Sequence, residues 1–151
     1  MSITLHEFAD KINDVVPVMI KEFSRRNVAE LYKGKITLPQ FLILGFLHNN
    51  GDSKMCAIAK FMSVTTAAMT GMIDRLERYG YVKREPEPGD RRIIKVILTQ
   101  KGSELVKKIN IRRREMILDI FGRVSETDRS DYLRVLMKIK EILTDKNTDN
   151  A

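Results

Sequence analysis

The chain has 151 residues, 43% of them hydrophobic, enough for a real core in one domain with or without helical extensions, which excludes a disordered polymer. Lys and Arg number 27 against 20 Asp and Glu, for a net charge of +7. That balance suits a polyanionic partner, nucleic acid or an acidic membrane surface, and is equally compatible with a basic surface that has no partner.

One cysteine, Cys56, excludes an intramolecular disulfide framework. No apolar run nears the ~18 residues of a spanning helix and no signal-like region opens the chain, so a cytoplasmic protein without membrane attachment is expected. Tryptophan is absent and only four prolines occur, which points to an α-rich fold.

In chain order, Leu5, Phe8, Ile12, Val15, Val16, Met19, Ile20 and Phe23 recur at helical spacing and predict a first helix over residues 4–26, kinked at Pro17. After a polar stretch, "TLPQ" opens a second helix, with Thr37 and Gln40 at capping-box spacing and Gly51 as its stop. A short helix over 54–61 turns Ile58 and Ala59 inward, and Ser63 and Val64 form a tight break. The next helix, 65–79, carries Met69, Met72, Ile73 and Leu76 on one face and ends at Gly80. "YVKRE" and "IIKVIL" then flank a Pro/Gly turn as two antiparallel strands. Thr99 caps a long helix to about residue 124, and "SETD" starts a last one bearing Leu133, Leu136, Ile139 and Leu143.

This order predicts a mainly α protein with a small β-hairpin wing: a winged helix-turn-helix with long N- and C-terminal dimerisation helices. The expected divisions are an N-terminal dimerisation helix and connecting loop (1–36), a DNA-binding lobe (37–99), C-terminal dimerisation helices (100–143) and a polar, fraying tail (144–151). The flanking helices are too amphipathic to stay wet, which implies a homodimer.

In a helix-turn-helix the second helix enters the major groove, the groove wide enough for a helix and distinct for every base pair. With its apolar face against the core, the 65–79 helix presents Ala67, Ala68, Thr70, Gly71, Asp74, Arg75 and Arg78, with Thr65 and Thr66 at its amino end. Small side chains permit close approach, threonine methyls can meet thymine methyls, and Arg75 lies where a backbone phosphate is the natural contact. Threonine and glycine are poor helix formers, so a helix that accepts them on its outer face uses that face.

Arg91 and Arg92 beside the sharp turn can reach an adjacent minor groove, whose negative potential attracts guanidinium groups. Asp90 is expected to pair with one guanidinium and aim it, leaving the other free, while Pro86 and Pro88 stiffen the turn. Residues 75–101 hold eight basic residues against four acids, a net +4 and over half the excess charge of the chain.

These motifs together resemble the MarR family, the multiple-antibiotic-resistance type of bacterial and archaeal transcription regulators. "TAAMTGMIDRLERYGYVKRE" with "GDRRIIKVILTQKG" matches its Asp-x-Arg wing at Asp90 and Arg92, its Leu-Thr-x-x-Gly at Leu98, Thr99 and Gly102, and its Asp74-Arg75-Leu76-Glu77 with Gly80. The resemblance covers essentially the whole chain. It implies a two-fold dimer on palindromic operators, usually a repressor released by a ligand or oxidant. Recognition-helix contacts carry over to Thr65, Thr66, Ala68, Thr70 and Arg75, and wing contacts to Arg91 and Arg92. Gly71 departs from the pattern, since many members carry a basic residue there.

The resemblance also implies a small aromatic or anionic effector, for which the sequence names no pocket residue. Cys56 is expected to be a buried small hydrophobe, with redox sensing as the alternative. His6 and Asp10 lie four apart on a helix but lack further ligands, so neither metal nor cofactor is expected. No nucleophile–base pair or phosphate loop emerges, so the chain is not read as an enzyme. A winged helix used for protein or RNA contacts is the other alternative, disfavoured by the polar, arginine-flanked helix face.

Overall fold

The computed structural model describes residues 3–31 and 36–145, with side chains of 27–31 outside the description. The 32–35 part of the connecting loop and the tail beyond residue 145 lie outside the described residues. The chain divides into two compact units, one up to Arg112 and one from Arg113.

In the first unit, α1 (Leu5–Leu31) runs on through Pro17 and ends later than its apolar pattern predicts. Ala, Glu and Leu in its last turn are strong helix formers, so propensity carries the helix past the last patterned residue. Its start is a reciprocal cap: Thr4 N–H donates to Glu7 Oε2 at 2.9 Å and Glu7 N–H to Thr4 Oγ1 at 3.3 Å. The Thr4 backbone bond, then its side-chain bond, hold the Glu7 carboxyl below the usual glutamate range.

α2 (Leu38–Asn50) opens on the predicted capping box, Gln40 N–H to Thr37 Oγ1 at 3.4 Å and Thr37 N–H to Gln40 Oε1 at 3.0 Å. Gly51, at φ 77°, closes it and donates to Leu47 O. α3 (Met55–Phe61) buries Ile58 and Ala59, and Ser63 turns the chain at φ 53° into α4 (Thr66–Arg78), capped by Thr65.

One strand went unforeseen. β1 (Ser53–Lys54) pairs antiparallel with β3 (Asp90–Leu98), which also pairs with β2 (Val82–Glu87). The wing is therefore a three-stranded sheet, ordered β1-β3-β2, rather than a hairpin alone. Two residues are too few to show alternation, so β1 exists only because β3 offers it an edge. Pro86 sits within β2, an edge strand, where its missing N–H costs no ladder bond.

The core joins Phe41, Ile43, Leu44 and Leu47 of α2, Ile58, the Met69–Ile73–Leu76 stripe of α4, Val82, Val96, and Val106 and Ile109 of α5 (Gln100–Phe121). α5 starts at Thr99, whose hydroxyl donates to Gly80 O at 2.6 Å and accepts from Gly102 N at 3.1 Å. A Cβ on Gly102 would stand 2.1 Å from Tyr81 O, so only glycine fits where helix crosses strand.

In the second unit, Ser125 caps α6 (Glu126–Thr144) as predicted, accepting from Asp128 N at 3.1 Å. Phe121 and Tyr132 stack at 5.5 Å. α6 buries no residue, and Leu133, Leu136, Ile139 and Leu143 are all exposed.

Candidate nucleic-acid interface

The α4 stripe of Met69, Ile73 and Leu76 is buried, which forces the opposite face outward. Thr65, Thr66, Ala67, Ala68, Thr70, Gly71, Asp74, Arg75 and Arg78 are exposed there. Two threonines are already committed locally. Thr65 Oγ1 accepts from Ala68 N at 3.1 Å as the helix cap, and Thr70 Oγ1 donates to Thr66 O at 2.9 Å. Thr70 thus offers outward its methyl and oxygen lone pairs, not its proton.

α4 separates two concavities. A groove of about 630 Å³ between α3, α4 and the wing brings together Thr66, Thr70, Arg84 and Arg92 with Lys54 and Cys56. A second, of about 440 Å³, lies toward the start of α2 and gathers Ala68, Gly71, Arg75 and Arg78 beside Thr37 and Gln40. Thr65 and Arg91 line neither.

The strand register explains the turn. Partners run regularly from Val82↔Leu98 to Pro86↔Ile94, and the next pair is Glu87↔Asp90. Arg91, Arg92 and Ile93 therefore face no β2 residue and form a bulge beside the Pro88–Gly89 turn, where Gly89 takes φ 97°. Bulges break the ladder and re-aim side chains, and this one projects both arginines, which are exposed.

Asp90 does not pair with a guanidinium, contrary to expectation. Its Oδ1 accepts the Arg92 backbone N–H at 2.9 Å. A short Asp side chain closes easily on the amide two residues on, and the bulge leaves that amide opposite no β2 partner. Asp90 therefore meets Arg92 at its backbone amide and not at its guanidinium.

The other acids of the segment are also engaged. Glu85 binds Lys83 at 2.7 Å, and the Glu85 hydrogen bond raises the Lys83 pKa. Glu87 lies 3.4 Å from Lys95 and 3.8 Å from Lys54, and Glu77 binds Arg84 at 2.5 Å. Lys101 donates to Tyr79 O at 2.7 Å and sits over the Tyr81 ring. Among the described residues, Arg75, Arg78, Arg91 and Arg92 make no ion pair, so the positive excess is concentrated on α4 and the wing bulge.

Arg84 was legible only as one basic residue among eight, yet it is the most connected of them. Besides Glu77 it binds Asp74, and its Nη2 donates to Thr70 O at 3.2 Å. Burial pulls its pKa down, but Asp74 and Glu77 together outweigh that and leave it raised. Arg84 therefore stays charged in the folded chain, and its own titration removes the pairing only as pH climbs through the raised folded value. No sequence spacing announces this cluster, because it requires β2 to lie against α4.

Cys56 corrects another expectation, being exposed rather than buried. α3 is a single short helix whose inward positions are taken by Ile58 and Ala59, which turns Cys56 toward the groove. Among the described residues, no group of three His, Cys, Asp or Glu side chains could hold a metal ion. No single helix among them is long and apolar enough to cross a membrane.

The sequence pattern of the MarR family matches residues 36–94. The HTH-type transcriptional regulator YkoM of Bacillus subtilis is 30% identical over 118 residues, 78% of this chain and 76% of YkoM. RV1404 from Mycobacterium tuberculosis superimposes with a TM-score of 0.81 at 26% identity, over 93% of this chain and 95% of that one. FabT of Streptococcus pneumoniae, solved in complex with DNA, shares the fold with a TM-score of 0.79 at 21% identity, over 91% of this chain and 98% of that one. With the wing, the capped α4 and the Leu-Thr-x-x-Gly corner in place, the chain belongs to the MarR family of winged helix-turn-helix transcriptional regulators, which are not enzymes.

Proposed function

We propose that this protein is a homodimeric, sequence-specific DNA-binding repressor of palindromic operators, released by a small aromatic or anionic effector. The observation that carries the DNA-binding reading is the set of four arginines on α4 and the wing without acidic partners, in a segment whose own acids are engaged elsewhere. FabT, solved in complex with DNA and of this fold, supports a DNA-binding reading. In this reading α4 enters the major groove with Thr66, Ala68 and Thr70 toward base edges, its Thr65-capped amino end and Arg75 meet phosphates, and Arg91 and Arg92 reach the flanking minor groove. Exposed apolar faces on α1, including Leu5, Phe8, Val15 and Ile20, and on α6 support pairing with a second copy. Half-site centres then lie about one helical turn, ~10 bp, apart or a multiple of it.

Selection of bound fragments from random duplex DNA, repeated with aromatic acids, tests this reading. A palindromic consensus whose binding an acid weakens is expected. Failure to bind any duplex at low ionic strength overturns the reading. Exposure of Cys56 in the groove beside Thr66 and Arg92 supports a second mode of release, by oxidation. Peroxide release that Cys56→Ser abolishes is its expected signature.

A further inference from the structure

We infer that Arg84 is a positioning residue of DNA recognition: it ties β2 to two successive turns of α4 and so sets the wing bulge at a fixed offset from the helix. The inference rests on the DNA-binding reading above and assigns Arg84 a role that touches no DNA.

The guanidinium is committed to α4. Nη1 donates to Glu77 Oε2 at 2.5 Å, Nη2 to Thr70 O at 3.2 Å and also to Asp74, and the Arg84 backbone N–H reaches Glu77 Oε1 at 3.3 Å. Thr70 to Glu77 spans about 10 Å of helix axis, so a single side chain grips α4 at three levels. A planar guanidinium, always charged, holds its donors in a rigid, wide fork that can span two carboxylates and a carbonyl, a geometry that the compact ammonium of lysine does not fix. Its side chain is 24% exposed, against 50% for Asp74, so the fork faces the helix rather than solvent.

Arg84 is also the outermost link. Nearer the base of the wing, Tyr81 N–H bonds Leu76 O at 2.9 Å and Val82 is buried. Beyond Arg84, among the described residues, no hydrogen bond or ion pair joins α4 to the sheet. The bulge with Arg91 and Arg92 is carried past this clamp on the β2–β3 ladder, where Glu87 lies 3.4 and 3.8 Å from Lys95 and Lys54 and has one buried carboxylate oxygen without a hydrogen bond, and none of these contacts reaches α4. A rigid offset lets the helix and the wing engage one operator without a separate entropic cost for ordering the wing.

The test uses the full chain and an operator selected by the wild type. In Arg84→Met, operator affinity is expected to fall about tenfold, with the salt slope lowered no further than in the combined Arg91→Ala, Arg92→Ala variant, because Arg84 itself neutralises no phosphate and acts only through those two. Hydroxyl-radical footprints should show no flanking minor-groove protection and keep the central protection. In an Arg91→Ala, Arg92→Ala background the same change should cost less than about twofold and leave the salt slope where it is, since both guanidinium groups it positions are already gone.

The sign of a second variant is more telling. Asp74→Asn with Glu77→Gln removes two negative charges near the DNA and by charge alone should tighten binding; released from its clamp, the wing should instead bind the operator more weakly. This double variant remains decisive even if Arg84→Met melts early. A slope lowered by about one further unit when Arg84→Met is added to the Arg91→Ala, Arg92→Ala background, the mark of a residue that itself neutralises a phosphate, overturns the inference, as does tighter operator binding by the Asp74→Asn, Glu77→Gln variant. A wild type that binds its operator alongside an equally tight Arg84→Met with a full footprint sinks this inference alone. A wild type that binds no duplex removes the DNA-binding reading and this inference with it.

Discussion

At the scale of single residues, surface charge is decided by what each group already binds. Arg84 and Lys83 are as basic as Arg91 and Arg92, but their charge is taken up within the protein. Arg91→Ala and Arg92→Ala are each expected to weaken operator binding and lower the salt slope by about one unit for each phosphate no longer neutralised, measured by titration at several salt concentrations. Lys83→Ala should leave both nearly unchanged, since its exposed pair with Glu85 is worth little. For Thr70 the hydroxyl proton is bound to Thr66 O, so the methyl is the distinguishing outward group. Thr70→Ser keeps the back-bond and removes that methyl. It should relax preference at one base pair by about 1 kcal/mol without touching non-specific affinity, as read from binding to operators varied at single positions. Arg91, Arg92 and the α4 face were legible because residue identity and a 3.6 period suffice to place them. Arg84 was not, because its significance depends on Asp74 and Glu77 being ten and seven positions away in chain and adjacent in space.

At the scale of elements, two glycines show how differently one residue type can be used. Gly102 has Tyr81 O where its Cβ would go, whereas nothing lies within 4 Å of a Cβ on Gly71. Gly102→Ala should destabilise by about 1–3 kcal/mol through forced separation of α5 from the start of β2. Gly71→Ala should stabilise by about 0.5–1 kcal/mol, and still weaken operator binding if the backbone of α4 approaches the groove floor as closely as its small residues allow. Thermal melts together with operator titrations separate the two effects. Helix boundaries marked by side-chain caps, at Thr37, Thr65 and Ser125, were readable because the cap residue itself carries the information. The end of α1 was not, since no stop residue marks it. β1 was invisible for another reason: its backbone is held by pairing with a strand some forty positions on, and two residues have no pattern of their own.

At the scale of the whole molecule, α6 buries no side chain and α1 exposes a row of apolar ones. A substitution such as Ile139→Lys is nearly neutral in an isolated chain because Ile139 is 44% exposed. In a homodimer it is expected to shift the protein toward monomer and reduce operator affinity by at least tenfold, since both half-sites must be held together. Sedimentation across the micromolar range checks this, and a monomeric wild type would rule the assembly out.

By itself the sequence determined the order of elements, the polarity of the α4 face and the presence of two arginines at a tight turn. These follow from local rules: periodicity, capping, glycine conformations and the chemistry of individual side chains. Tertiary structure alone decided that the wing has three strands, that the arginines stand in a bulge, that Asp90 serves a backbone amide and that Arg84 belongs to the helix. Each of those is a pairing between groups distant in the chain, and whether a charge is free or a strand exists is settled only when the fold brings its partner within reach.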